Sequence, residues 1–314
     1  MKKWKIIIFC GVCLQWFLMA CSGRGTETHI VDDSYDRWKS DSASLRVAVM
    51  PTLDCLPLFV AEAEGLFDNQ GVNVSLYQYD AQMDCDTAIE SGWVEVMATD
   101  LVRVEYLKQK GLALDYLTAT ELHWQLLAGQ HTKVKRLSQL EHKMIAMTRF
   151  SATAMLADML VDTAAVMSDY VFRIQVNDVN VRYEMLNTQV MDVMFLPEPY
   201  ATAARQLDAH LLYDTHWDDV RMGVLAIRQE AMADTLRRHQ AEGLLKAYDA
   251  ACDSINRHGL GHYSALIAER SGFLHQVTDS LSADILFSPS TQPRQTDIDK
   301  ARLWFEKQGH HAEE

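Results

Sequence analysis

From Leu45 onward this chain repeats one pattern that few folds accommodate: a short apolar run, a helical stretch, then another short run. Leu45–Met50 (LRVAVM) reads as a buried strand, followed by the loop Pro51-Thr52-Leu53-Asp54 and a helix over Leu56–Gly71 that a glycine stops. Asn73–Tyr79 is a strand, Asp84–Gly92 a short helix capped by Asp84 or Asp86, and Val94–Thr99 a strand. Leu101–Lys110 is a helix and Leu114–Thr118 a strand. A second series starts near Trp124. It runs strand Lys143–Met147, helix Ser151–Val161, strand Val171–Val176, helix Val179–Asn187, strand Val190–Leu196, helix Pro199–Leu207 and strand His210–Tyr213. Met222–Ile227 returns the chain to the first series. Glu230–Arg257 is helical, with Leu236, Leu244, Leu245, Tyr248 and Ala251 on its core face, and Asp297–Gln308 is a last helix carrying Trp304 and Phe305. Repeated β-α-β units specify a largely parallel sheet covered by helices. The body, about 270 residues, exceeds the usual size of one core, so two lobes are expected.

The first twenty residues read as an address. Lys2, Lys3 and Lys5 are a positive leader, and Ile6 to Met19 is an apolar run of about fourteen residues. A membrane span needs roughly twenty, so this run suits the core of a secretory signal. Leu18-Met19-Ala20-Cys21 has the form of a bacterial lipobox, which implies lipidation of Cys21 as the first residue of the mature chain. Each buried methylene contributes about 0.8 kcal/mol, so two acyl chains anchor stably where one binds marginally. Ser22–Ser44 is polar and without a clear period, and reads as a flexible tether.

Charge and cysteines narrow the function classes. The formal net charge is −14, and about −17 once Lys2, Lys3 and Lys5 leave with the signal. So acidic a surface lacks the basic footprint that nucleic acid demands. Cys10, Cys13 and Cys21 belong to the leader or the lipid site, leaving Cys55, Cys85 and Cys252 in the body. None of these three forms a C-x-x-C pair, so neither a zinc ribbon nor a thioredoxin-type site is indicated. G-x-S-x-G, P-loop and H-E-x-x-H motifs are absent. Gly259-Leu260-Gly261 lacks a third glycine and a preceding strand, and two glycines between His258 and His262 spoil a metal-binding helix face. Catalytic residues, metal and cofactor are all expected to be absent, and the chain is not read as an enzyme.

The run MPTLDCLPLFVAEAEGLFDNQGVNVSL, residues 50–76, resembles the opening of type II periplasmic binding proteins, through Pro57, Ala61, Gly65-Leu66-Phe67 and Gly71. More narrowly it is similar to the branch that binds sulfonates, nitrate or thiamine precursors. Ala88-Ile89-Glu90-Ser91-Gly92 before Val94–Ala98 matches the family's glycine-closed helix and third strand. Met191 to Tyr200 (MDVMFLPEPY) resembles its strand ending in Glu-Pro-(Phe/Tyr). The resemblance implies two α/β lobes joined by crossing strands, each a mostly parallel sheet flanked by helices, with the ligand in the cleft between them. The boundaries expected are 1–20 signal, 21–44 tether, 45–122 plus 224–314 lobe 1, and 123–223 lobe 2. It also implies a monomer that partners an ABC permease and its ATPase. A ligand-sensing lipoprotein beside a membrane sensor, and a structural lipoprotein that binds nothing, are the alternatives. Enzymes of the same fold include a pyrimidine synthase with a cysteine-rich motif, which this chain lacks.

In open α/β sheets the ligand lies beyond the carboxyl ends of strands, which nominates Thr52, Asp54, Cys55, Gln82, Thr99, Asp100, Arg149, Ser151, Thr153, Asn177, Asp178, Glu198 and Tyr200. Ser151 and Thr153 open a helix whose free N–H groups favour a carboxylate, phosphate or sulfonate, and Arg149 can add a bidentate contact. The same residues also serve as an ordinary cap. Glu198 is either an acceptor for a ligand amine or a helix-start carboxylate favoured by the dipole. The acids outnumber Arg149, which favours an amine or a hydrogen-bond donor such as an aminopyrimidine over a bare anion. Trp93, Trp124, Phe150 and Tyr200 offer ring faces, or simply pack in the core. Cys55 and Cys85, thirty residues apart, follow strand ends that meet at the cleft. Either they pair, in a bond worth roughly 3–4 kcal/mol, or they remain small buried apolar groups.

Overall fold

The computed structural model describes residues 43–311, so the leader, Cys21 and the tether up to Ser42 lie outside the described residues. β1 (Leu45–Val49) is buried at every position. Ser44, expected in the tether, is buried too, with its hydroxyl 2.8 Å from that of Ser75. The helix expected after β1 is two, α1 (Leu56–Ala63) and α2 (Leu66–Asn69). They part at Gly65, whose φ of 66° is the left-handed region that glycine enters without steric cost. Then follow β2 (Val74–Gln78), α3 (Gln82–Glu90), β3 (Val96–Asp100), α4 (Leu101–Gln109) and β4 (Leu114–Ala119). The chain crosses through β5 (Gln125–Ala128), a strand the periodicity does not reveal. It then builds β6 (Met144–Met147), α5 (Ala152–Ala164), β7 (Phe172–Gln175), α6 (Val179–Asn187), β8 (Val193–Leu196), α7 (Tyr200–Gln206) and β9 (His210–Asp214). It returns through β10 (Gly223–Arg228) to α8 (Gln229–Ala233), α9 (Thr235–His258), α10 (Ser264–Ser271), α11 (His275–Thr278) and α12 (Gln295–His311).

The sheet orders are β2-β1-β3-β10-β4 and β7-β6-β8-β5-β9, two copies of one pattern. In each, three strands pair in parallel, and a strand from the crossing connections enters antiparallel before the last one. β10 inserts into the first sheet and β5 into the second, so two passages of chain, at residues 119–125 and 214–223, join the lobes. Among the described residues no helix is long and apolar enough to cross a membrane.

Three local expectations are corrected. The cap of α3 is Ala81 with no side-chain bond; Asp84 lies in the first turn, and Asp86 is buried against Arg103. The long C-terminal helix is split at Asp234, whose carboxylate accepts from Arg237 N at 2.8 Å and starts α9 anew. That start turns Leu236 outward, at 55% exposure, and sets the buried face along Gln240, Gly243, Leu244, Ala247, Tyr248, Ala251, Cys252 and Ile255.

Candidate functional site

The carboxyl ends of β1, β3, β6, β7 and β8 converge on one cavity between the sheets. Met50, Thr52 and Asp54 follow β1, Gln82 opens α3, and Ala98, Thr99 and Asp100 end β3. Opposite stand Thr148 and Ser151 after β6, Asn177, Val179 and Arg182 after β7, and Pro197 after β8, with Leu122 and Trp124 from the crossing chain. The non-atom space, counted out to its mouth, is about 490 Å³.

The lobes meet through direct hydrogen bonds around this cavity. Leu53 N donates to Glu198 O at 2.8 Å and Val179 N to Asp80 O at 3.0 Å. Ala81 bridges Asp178 in antiparallel fashion, and Arg103 Nη1 donates to Arg149 O at 2.7 Å. Asp100 makes the most informative contact. Its Oδ1 accepts from Arg103 N, capping its own helix α4, and from Ala152 N, the first residue of α5 in the other lobe, both at 2.9 Å. The N-terminus of α5, where the sequence offered an anion site, thus already holds a carboxylate of the chain. Ser151 Oγ also accepts from Thr153 N at 3.2 Å, as an N-cap does.

Burial dominates the electrostatics. It raises the Asp100 pKa to about 6, against the Arg103 amide and charge and the Ala152 amide. Asp54, 4% exposed, is raised by burial as well, against the Thr52 hydroxyl, its own amide, His123 and Thr120. Thr120 Oγ1 reaches Asp54 Oδ2 at 3.5 Å, a marginal contact, whereas Oδ1 has no hydrogen-bond partner among the described residues. Trp124 Nε1, also buried, has none among them either. Arg182, 2% exposed, has its pKa lowered to about 10 by burial. Its guanidinium donates to Val176 O at 2.6 Å, to Phe195 O at 3.2 Å and to Thr148 Oγ1.

Of the nominated residues, Thr52, Asp54, Gln82, Thr99, Asp100, Ser151 and Asn177 line the cavity. The others do not. Arg149 is exposed, its guanidinium over the Phe150 ring, and only its carbonyl takes part in closing the lobes. Thr153 is buried behind the helix start, accepting from Thr148 N at 2.9 Å. Asp178 caps α6 through Val181 N. Glu198 follows its helix-start reading: Oε2 accepts from Thr202 N at 2.9 Å and Oε1 from Arg205 at 2.9 Å. Tyr200 is fully buried, its hydroxyl on Asn180 Oδ1 and its ring against Phe273. Cys55 and Cys85 are both free and buried, so the pairing is not formed; Cys85 Sγ lies 3.8 Å from Met50 Sδ and Cys55 Sγ 4.0 Å from Asp54. Of the four aromatics only Trp124 reaches the cavity; Trp93 is exposed at 41%, and Phe150 stacks on Tyr106 at 4.9 Å. Sequence reasoning missed Arg182, the one charged residue among the lining residues not nominated, besides Met50, Ala98, Leu122, Thr148, Val179 and Pro197. An arginine near the start of an amphipathic helix carries no signal that separates it from a solvated one.

A family model described as NMT1/THI5 like matches residues 52–254. No curated protein matches the sequence. Among solved structures the chain is similar to the alkanesulfonate-binding protein SsuA from Xanthomonas axonopodis pv. citri bound to MOPS. That likeness has a TM-score of 0.72 at 15% identity over 86% of this chain and 93% of that one. It is also similar to the periplasmic aliphatic sulphonate binding protein SsuA from Escherichia coli, with a TM-score of 0.68 at 16% identity over 85% and 88%. The periplasmic nitrate-binding protein NrtA from Synechocystis PCC 6803 gives 0.65 at 12% identity over 80% and 74%. At such identities the likeness shows the fold and leaves the ligand to the site itself.

Proposed function

Because the chain belongs to the NMT1/THI5-like family and has the two-lobe type II periplasmic-binding-protein fold, we propose that it is a lipid-anchored, extracytoplasmic solute-binding protein that delivers a small molecule to an ABC permease. The observation that carries this reading is the interlobe cavity, where Asp54 Oδ1 and Trp124 Nε1 are buried without partners among the described residues. An unpaired buried polar atom costs about 1–3 kcal/mol, and a bound solute that satisfies both removes that cost. The lining offers a small solute two carboxylates, a guanidinium, hydroxyls and amides as polar partners. In this reading residues 45–122 with 224–314 form one lobe and 123–223 the other, and the two rotate about the crossing passages to admit and release solute. The lipobox supplies the anchor at Cys21.

A thermal-shift screen of the mature chain without lipid, stripped of carried-over ligand, tests the binding. The panel holds thiamine and its pyrimidine precursors, amines, taurine and other sulfonates, nitrate and bicarbonate. A solute at about 100 times its Kd stabilises the folded state by about 2.7 kcal/mol. Silence across the panel from a folded protein counts against solute binding. For the anchor, Cys21→Ser is expected to move the chain from the membrane to the soluble fraction, and a variant that stays with the membrane refutes the lipid.

A further inference from the structure

Resting on that reading, we propose that this site is built for a small organic cation, held by Asp54, and that Asp100 excludes anions by occupying the helix N-terminus they would need. The argument is one of elimination around the cavity wall. An anion would look to the first N–H groups of α5 and to the positive charge nearby. Ala152 N is already bonded to Asp100 Oδ1 at 2.9 Å, and Thr153 N to Ser151 Oγ at 3.2 Å. The guanidinium of Arg182 is committed to two carbonyls and a threonine hydroxyl. A second anion beside Asp54 and Asp100 would also face like charge where water cannot screen it.

What the wall leaves open has the opposite sense. Asp54 Oδ1 is an acceptor lacking a donor, and Trp124 Nε1 a donor lacking an acceptor. Asp54, Asp100 and Arg182 together leave the lining one negative charge in excess when ionised. A monovalent ammonium or amidinium with an oxygen or nitrogen acceptor elsewhere on its frame satisfies both atoms and cancels that charge. The Asp54 carboxyl, pushed up by burial, is then drawn back by the cation, so binding tightens as pH rises through its titration.

The test uses the mature chain and two series of probes. The cations are ethanolamine and 3-amino-1-propanol, each monovalent at neutral pH with one oxygen acceptor; the anions are methanesulfonate and nitrate. At neutral pH a cation is expected to raise the melting temperature of the wild type, whereas the anions are not. Asp54→Asn keeps the shape and removes the charge, and should weaken cation binding at least about thirty-fold. Asp100→Ala frees Ala152 N, and should let methanesulfonate stabilise a chain that ignored it before. Should Asp100→Ala fail to fold, Asp100→Ser, whose hydroxyl can still cap α4, takes its place in the methanesulfonate arm. An anion that stabilises wild type and Asp54→Asn alike overturns the cation inference and leaves solute binding standing. Methanesulfonate without effect on a folded Asp100→Ala overturns the exclusion by Asp100. A stripped, folded wild type that answers to neither series here nor to the wider screen overturns both readings.

Discussion

Asp100 holds a carboxylate out of reach of water, between two backbone N–H groups that belong to different lobes. Burial outweighs those bonds and lifts its pKa from the ordinary 3.8 to about 6. The folded chain therefore keeps, across that window, a proton that the unfolded chain has released. The stabilisation is complete below the unfolded value and is lost as pH rises through about 6, which leaves a cost of about 3 kcal/mol at neutral pH. Asp100→Asn keeps the acceptor and removes the titration. Urea unfolding should find the variant more stable than wild type by up to that amount near neutrality, with the gap closing below about pH 4. A gap independent of pH would mean that Asp100 does not carry this shift. The strand-end rule found Asp100 in the sequence because a carboxylate after an apolar strand is placed by backbone topology alone. It failed at Arg149, whose side chain points away while its carbonyl does the bonding, and no rule of position distinguishes those two outcomes. Arg182 was invisible for a different reason: its partners are carbonyls, Val176 and Phe195, that every sequence contains.

The elements were legible where a period had room to repeat. Val179–Asn187 is a helix over the residues expected, and the other strands and helices differ mostly by a residue or two at their ends. β5 was not legible, because four residues flanked by loop contain too little alternation to tell a strand from a buried turn. Yet β5 and β10 are the elements that make two lobes one molecule, and their passage beside each other requires a close approach. Gly223, at the start of β10, supplies it. A Cβ there would lie 2.5 Å from Leu122 Cβ and 2.8 Å from Thr120 O, besides colliding with the Thr120 hydroxyl. Backbone cannot yield as a flexible side chain does, so Gly223→Ala should destabilise the chain by about 1–3 kcal/mol in denaturant titration. Gly261→Ala is the comparison, because nothing lies within 4 Å of the carbon it adds. Equal midpoints for the two variants would show that the crossing strands have slack.

At the scale of the whole molecule the lobes are held together at the back as well as across the cavity. The last helix, α12, touches both. Arg302 Nε reaches Glu105 Oε2 on α4 at 3.1 Å, which fixes the helix to the first lobe, and Phe305 meets Tyr106 of that lobe and Phe150 of the other edge-on, both at 5.9 Å. Trp304 Nε1 and Gln308 Nε2 donate to Asp158 Oδ2 on α5 of the second, at 3.0 and 3.2 Å. Asp158 accepts from Arg173 Nε at 2.7 Å too, so one carboxylate joins the C-terminal helix to the edge of the second sheet. The sequence placed Trp304 and Phe305 on a helix but gave no hint that Trp304 reaches the second lobe while Phe305 sits between Tyr106 and Phe150, since that placement depends on how the crossing strands set one lobe against the other. In the proposed opening of the cleft α5 would move relative to α4, and α12 would then release Asp158 or Glu105. Asp158→Ala removes the polar attachment to the second lobe and leaves Arg302–Glu105 and the Phe305–Phe150 contact, so the closed arrangement loses roughly 3 kcal/mol of support from two hydrogen bonds to a charged carboxylate. Small-angle scattering should then report a larger radius of gyration for the unliganded variant than for the wild type. Any solute that binds the closed form should bind the variant about tenfold more weakly, because a smaller fraction of the chain stands ready for it. An unchanged radius with unchanged affinity would mean that α12 follows the lobes rather than restrains them, leaving closure to Asp100 and the contacts around the cavity.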